Sequence, residues 1–408
     1  MVKKMLNPII AATIIMILYM IMPVMTVIIS KFITTYAYML MCVVLFCFIM
    51  LTGGIKRLSA MVYVLAPLGL LILYSFFVGN EPLVIMGYQG VLTLLTVAAG
   101  YYYLYYRSDA IPVFSKIILA AIIVTAVTTI IGVIRFPEAS RILATIATSD
   151  DEQNLLFGWN NIGGYEYIYI CVLLYPVMIL AYKLRKIGRV AFLFMFLLLF
   201  ILVIFSEYTI ALILIMITSF LYFAGKKTNA GQLLLIGIVL FALLFLFQSV
   251  VNSFLLWLAD TLGSDTLGER LTALAGGVNG LEGSESNRIA LYQASIDAFL
   301  ERPIFGNTFN GFSVGGGHSF ILDTLANHGI LGGITIVLLY RNIYKVFFVP
   351  FRRQEGYGFV LWTFVQTIIL SMVNTGMWSM VIGMFVPIFL SQIYNTYDEG
   401  YYENSLDY

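Results

Sequence analysis

The sequence predicts an all-α polytopic membrane protein with about twelve transmembrane helices and a large extracytoplasmic loop that contains an amphipathic helix. Three observations predict it. The 408 residues are 61% hydrophobic and only 11% charged, against roughly 25% charged in a soluble domain. Apolar runs near the ~20 residues needed to cross about 30 Å of hydrocarbon recur from end to end. Lys and Arg collect in alternate connections between those runs, as the positive-inside rule requires.

The runs fall at 9–29, 36–52, 58–79, 83–104, 112–134, 162–182, 190–205, 208–224, 232–257, 318–340, 357–376 and 378–394. The first follows MVKKMLNPII, which has the charged start of a signal peptide without a small-residue cleavage site, so a retained first helix is expected. YYYLYY at 101–106, followed by Arg107, reads as an interfacial aromatic belt. Residues 1–257 then hold helices one to nine with an outer loop at 135–161. Residues 258–317 form the large extracytoplasmic loop, 318–394 the last three helices, and 395–408 an acidic cytoplasmic tail.

With both termini inside, 16 of the 22 basic residues are cytoplasmic. The six outside are Lys31, Arg135, Arg141, Arg270, Arg288 and Arg302. The five arginines among them sit only in the two long loops. They are either ordinary solvated charge or an anion site, since guanidinium presents a planar fork that matches phosphate oxygens. In ESNRIALYQASIDAFLERP, Ile289, Tyr292, Ile296, Phe299 and Leu300 recur at helical spacing, and Pro303 should end that helix. Arg288 is expected in its first turn, near the helix's free N–H groups, and shares a side with Tyr292.

Both histidines lie in GGGHSFILDTLANHGILGG, 315–333. His318 stands where a Gly-rich loop becomes a helix. Gly315, Gly316 and Gly317 permit close approach of a ligand, and histidine suits proton transfer near neutral pH. A capping or packing role is the alternative. His328, ten residues on, would lie about 15 Å along a continuous helix, beside glycines suited to helix contact, and is read as structural. Glu207, in FSEYTIAL, marks either an outer turn or a buried carboxylate. No metal-ligand cluster or Walker A motif occurs, so neither a metal nor another cofactor is expected. Cys42, Cys47 and Cys171 lie in apolar runs and suggest no disulfide.

RIALYQASIDAFLERPIFGNTFNGF, followed by HSFILDTLANHGILGG, resembles the core signature of the O-antigen ligase and polymerase family. WNNIGGYEYIYICVLLYP at 159–176 is similar to the Asn-rich start of an earlier family helix. The resemblance implies an inverting, metal-independent, membrane-embedded glycosyltransferase of GT-C-like architecture in the bacterial cytoplasmic membrane, with an extracytoplasmic active site. It implies a glycan on undecaprenyl pyrophosphate as donor, a second lipid-linked glycan as acceptor, and flippase and chain-length regulator proteins as partners, with no nucleic acid. It assigns His318 as the essential histidine and Arg288 as the donor-pyrophosphate arginine. Arg270, Arg135 and Arg141 are further pyrophosphate candidates, and Tyr292, Asn307 and Glu207 candidate acceptor or sugar contacts. Two positions depart from the family pattern. Ser206-Glu207-Tyr208 stands where many members have Ser-Arg-Gly, and Ser319 follows His318 where Asn is common.

Three functions compete. The first is polymerisation of lipid-linked repeat units into a surface polysaccharide. The second is ligation of finished glycan onto a lipid or protein acceptor. The third is a transporter of lipid-linked glycans, which inverted repeats or broken helices at matching positions would favour.

Overall fold

A computed structural model describes residues 8–33, 35–52, 62–70, 72, 83–136, 139–144, 151–206, 208–224, 229–246, 253, 256–257, 260, 284–307, 317–376 and 378–396. Every regular element among the described residues is helical. Among the described residues four stretches are long and apolar enough to cross a membrane: Ser108–Arg135, Tyr165–Lys183, Arg189–Ser206 and Phe320–Phe347. A bent pair, Pro8–Ile21 and Pro23–Phe32, makes five if it counts as one span. The chain is thus an α-helical membrane protein. Shorter apolar helices account for other runs, among them Ile210–Ala224 and Tyr357–Val373.

The first run is a correction. Residues 9–29 do not form one helix: α1 (Pro8–Ile21) and α2 (Pro23–Phe32) meet at 117°. Met22 between them is extended, with φ −111° and ψ 106°, and Pro23 starts the second helix with the fixed φ that suits that position. Next come α3 (Thr35–Thr52), α4 (Leu83–Tyr105) and α5 (Ile111–Arg135). The loop at 135–161 carries two helices of its own, α6 (Ala139–Ala144) and α7 (Asp151–Trp159). Helix α2 packs on α7, with Lys31 Nζ 4.4 Å from the Trp159 ring centre.

Helix α8 (Tyr165–Lys183) is the centre of the bundle. It touches α9 (Arg189–Ser206), α10 (Thr209–Ala224), α14 (Tyr357–Val373) and α15 (Val386–Tyr394). It is apolar all round, as a helix buried on every side must be. Asn161 sets its approach. The residue adopts φ 52°, which asparagine tolerates better than most residues. Its amide donates to Thr128 Oγ1 at 2.9 Å and Thr125 Oγ1 at 3.2 Å on α5. Gly163 N–H adds a bond to Thr129 Oγ1 at 2.7 Å. A π turn, Val381–Phe385, leads into α15. There Gly383 faces Gly100 of α4 so closely that a Cβ on Gly100 would strike the Gly383 carbonyl, the small-residue contact by which membrane helices pack.

Helix α11 (Ala230–Leu246) leads toward the second loop, where α12 (Ser284–Glu301) packs on α13 (Phe320–Phe347). Helix α12 begins earlier than expected, so Arg288 lies one turn inside it and not in its first turn. Its apolar stripe also divides: Ser295 and Ala298 are buried, whereas Ile296 and Leu300 are 37% and 65% exposed. Small residues bring α12 close to α13 and leave the large ones outward.

Helix α13 is the second correction, because it is not a continuous helix from 318 to 340. Gly329 breaks it at φ 63° and ψ −156°, a region open essentially to glycine alone. The chain then doubles back. A Cβ on Gly332 would lie 3.0 Å from the Thr324 carbonyl oxygen, although eight residues along an unbroken helix span about 12 Å. The turn Pro303–Asn307 fills the break: Ile330 N–H donates to Pro303 O at 2.7 Å and Asn307 N–H to Ala326 O at 3.1 Å.

The basic connections share one end of the bundle. Tyr105 Oη donates to Val346 O at 3.1 Å and Tyr394 Oη to Glu355 O at 2.7 Å. These bonds bring the α4–α5 turn, the end of α13, the start of α14 and the end of α15 together. Arg107 lies there, its guanidinium pKa raised by Asp109, which accepts from Nε at 2.9 Å and Nη2 at 3.1 Å. The end of α14 and His318 lie at the opposite end.

Candidate functional site

His318 is exposed one residue before the N-cap of α13. Gly317, before it, has φ 69°, and no described atom lies within 4 Å of its Cβ position. The backbone that carries His318 is firmly held. Ser319 is fully buried and caps the helix, its Oγ accepting from Leu322 N–H at 3.1 Å. Asp323 reaches back: Oδ2 accepts from Ser319 N–H at 3.1 Å, and Oδ1 accepts from Ser295 Oγ on α12 at 2.7 Å. One carboxylate therefore locks the helix start, its neighbour helix and the residue after His318.

The end of α14 completes the mouth. Phe320 N–H donates to Asn374 O at 2.9 Å, and Tyr292 Oη donates to Val373 O at 3.0 Å. Both bonds satisfy carbonyls that a helix terminus leaves open. Beyond them, Asn374 Nδ2, Trp378 Nε1 and Ser379 Oγ are buried with no hydrogen-bond partner among the described residues. Asn374 is 6% exposed, and Trp378 and Ser379 are wholly enclosed. Buried polar groups are normally satisfied, so three unpartnered groups between 374 and 379 stand out, the first of them on the residue whose carbonyl binds the start of α13. The Trp378 ring lies 5.4 Å from Tyr169 and 6.2 Å from Tyr165, and Tyr208 stands 5.5 Å from Tyr165. The orphan donors thus adjoin an aromatic wall from the start of α8. Glu166, exposed in the first turn of α8, brings a carboxylate to the same helix end.

The other sequence candidates are placed as follows. Arg288 lies on α12 one turn before Tyr292, with its side chain outside the described residues. Asn307 is buried, its Nδ2 3.4 Å from both Ala298 O and Ala326 O; it fastens the turn to α12 and α13. Arg135 ends α5 and lies over the Phe136 ring at 5.2 Å. Arg141 is on α6, its side chain outside the described residues; Arg270 and Glu207 lie outside them altogether. His328 is buried, 6% exposed, at the turn of the doubled-back helix. The described residues hold no group of three or more His, Cys, Asp or Glu placed for a metal ion.

Sequence reasoning missed Asn374, Trp378 and Ser379. They belong to a largely apolar run, and their lack of partners is visible only once the α14 terminus is seated on α13. Asp323 stands one residue beyond the capping-box position, so that pattern does not flag it, although its carboxylate makes the same bond back to the capping serine's N–H.

No family model matches the chain, and no curated protein or solved structure matches it.

Proposed function

We propose that the chain is a membrane-embedded glycosyltransferase that joins oligosaccharide units carried on undecaprenyl pyrophosphate, as a polysaccharide polymerase. The observation that carries the reading is an exposed His318 on a rigidly capped helix start that bonds to Asn374, the first of three buried residues whose side-chain polar atoms have no partner among the described residues. A glycan offers hydroxyls for those groups and ring faces for the aromatic wall. The reading includes both termini in the cytoplasm, twelve spans, and a site at the outer face of a bacterial cytoplasmic membrane. The separation of His318 from the basic end of the bundle supports that orientation.

In this mechanism the pyrophosphate is already a good leaving group. Arg288 supplies positive charge as phosphate charge develops. His318 receives the proton of the attacking hydroxyl, which approaches the anomeric carbon opposite the departing pyrophosphate and inverts its configuration. Holding the two substrates in line supplies a large part of the rate. Ligation onto a lipid or protein acceptor would use the same groups.

The test is a deletion strain complemented with variants. Loss of the gene should leave single lipid-linked units; long unattached chains would indicate a ligase, and units trapped inside a transporter. His318→Ala should cut polymer by roughly 10²–10⁴ at normal protein level, whereas His328→Ala should lower protein level. Normal polymer from His318→Ala would refute the reading.

A further inference from the structure

A second site lies at the basic end, far from His318. A partly open cavity of about 370 Å³ runs between α5, α8, α9 and α15, within the ~300–1,000 Å³ of small-molecule sites. Its polar lining gathers at one end. Ser115 and Lys116 come from the second turn of α5, Lys186 from the α8–α9 turn, and Gln392 and Asn395 from the end of α15. The rest of the wall is almost entirely apolar and reaches Ala126 on α5 and Leu202 on α9. Lys116 and Ala126 are ten residues apart on one continuous helix, hence about 15 Å along its axis. That is the depth of one leaflet of a ~30 Å hydrocarbon layer. Among the described residues neither lysine is engaged in an ion pair, and both are exposed.

We infer that this cavity holds an anionic glycerophospholipid of the leaflet at the basic end. One acyl chain lies along the apolar wall, and the phosphate group sits between Lys116 and Lys186. Two features select that occupant together. The apolar length equals a leaflet, which fits a chain entering from the membrane. The mouth carries two positive charges and hydrogen-bonding groups, which fits a phosphate with net negative charge and not a zwitterionic headgroup; basic pockets between transmembrane helices on such a side bind acidic lipids. The inference does not depend on the chemistry proposed at the other end.

The test is lipid selectivity of the whole protein in phosphatidylcholine bilayers, read with chain-labelled phosphatidylglycerol and phosphatidylcholine as probes of the immobilised lipid. The wild type should prefer phosphatidylglycerol by roughly fivefold for each lysine engaged. Lys116→Gln with Lys186→Gln should bring the ratio close to one. Arg185→Gln with Arg189→Gln, which removes charge at the same end but outside the cavity, should leave the preference intact. Equal immobilisation of both lipids by the wild type overturns the inference. So does a control pair that removes the preference as fully as the cavity pair.

Discussion

Helix α8 and helix α13 have the same mean hydropathy, and both are long enough to pass as membrane spans. They are built on different principles. Helix α8 is held by side chains: apolar on every side, it is enclosed by four neighbours and tied by Tyr167 Oη to Ile122 O at 2.6 Å and Tyr175 Oη to Ser219 Oγ at 2.7 Å. Helix α13 is held by backbone. Gly329 turns it, Pro303–Asn307 fills the turn, and Gly332 and Gly333 let the two segments touch. An apolar run of sufficient length therefore does not by itself make a straight span. A glycine at a position where the backbone needs a positive φ can fold the run into a hairpin and bring its start, with His318, back against the end of α14.

Gly329→Ala should break this contrast most strongly. The dihedral alone costs about 1–3 kcal/mol in a non-glycine residue, and the new Cβ would overlap the Ile304 carbonyl and approach Gly306 N at 2.7 Å. Backbone cannot yield as a side-chain tip can. Against a typical stability of about 5–15 kcal/mol, the variant should show low yield and a clearly lowered Tm in detergent, while Ile179→Val on α8 should cost only about 0.5–1.5 kcal/mol. Similar melting of the two would remove the distinction.

Asp323→Ala should act next. It withdraws a charged acceptor from Ser319 N–H and Ser295 Oγ, worth about 1.5–3 kcal/mol per bond. Hydrogen exchange should rise at Ser319 and Phe320, and polymer formation should fall with it. Unchanged exchange there would mean that the carboxylate does not hold the histidine's backbone.

The smallest effect on stability should come from Ser379→Ala. Its hydroxyl has no partner among the described residues, so removing it exposes no broken bond and can be neutral. If glycan fills the cradle, the apparent KM should rise several-fold at constant Tm. A drop in Tm with unchanged KM would assign the hydroxyl to packing.

The helical membrane class was legible from composition, and the sequence singled out the region around the histidines as the candidate site. The geometry within it was not. Helical periodicity locates Tyr292 and Phe299 but not Ser295, which reaches Asp323 across 28 positions of sequence. Spacing put Arg288 at a helix start that lies four residues earlier. Continuous-helix arithmetic from His318 to His328 stops one residue short of the break, so sequence placed His328 deep in a span where the structure has it at a turn. Each miss has the same cause: periodicity describes an element in isolation, and these positions are decided by backbone contact between elements far apart in the chain.

The bend at Met22 bears on the membrane itself. From Pro8 to Ile21, α1 has 14 residues and a rise of about 21 Å, well short of a ~30 Å hydrocarbon layer. Where a membrane helix is too short, lipid compresses to meet it. Were α1 to cross on its described residues alone, the bilayer beside it would be thinned, and shorter-chain lipids should gather at this flank of the protein first.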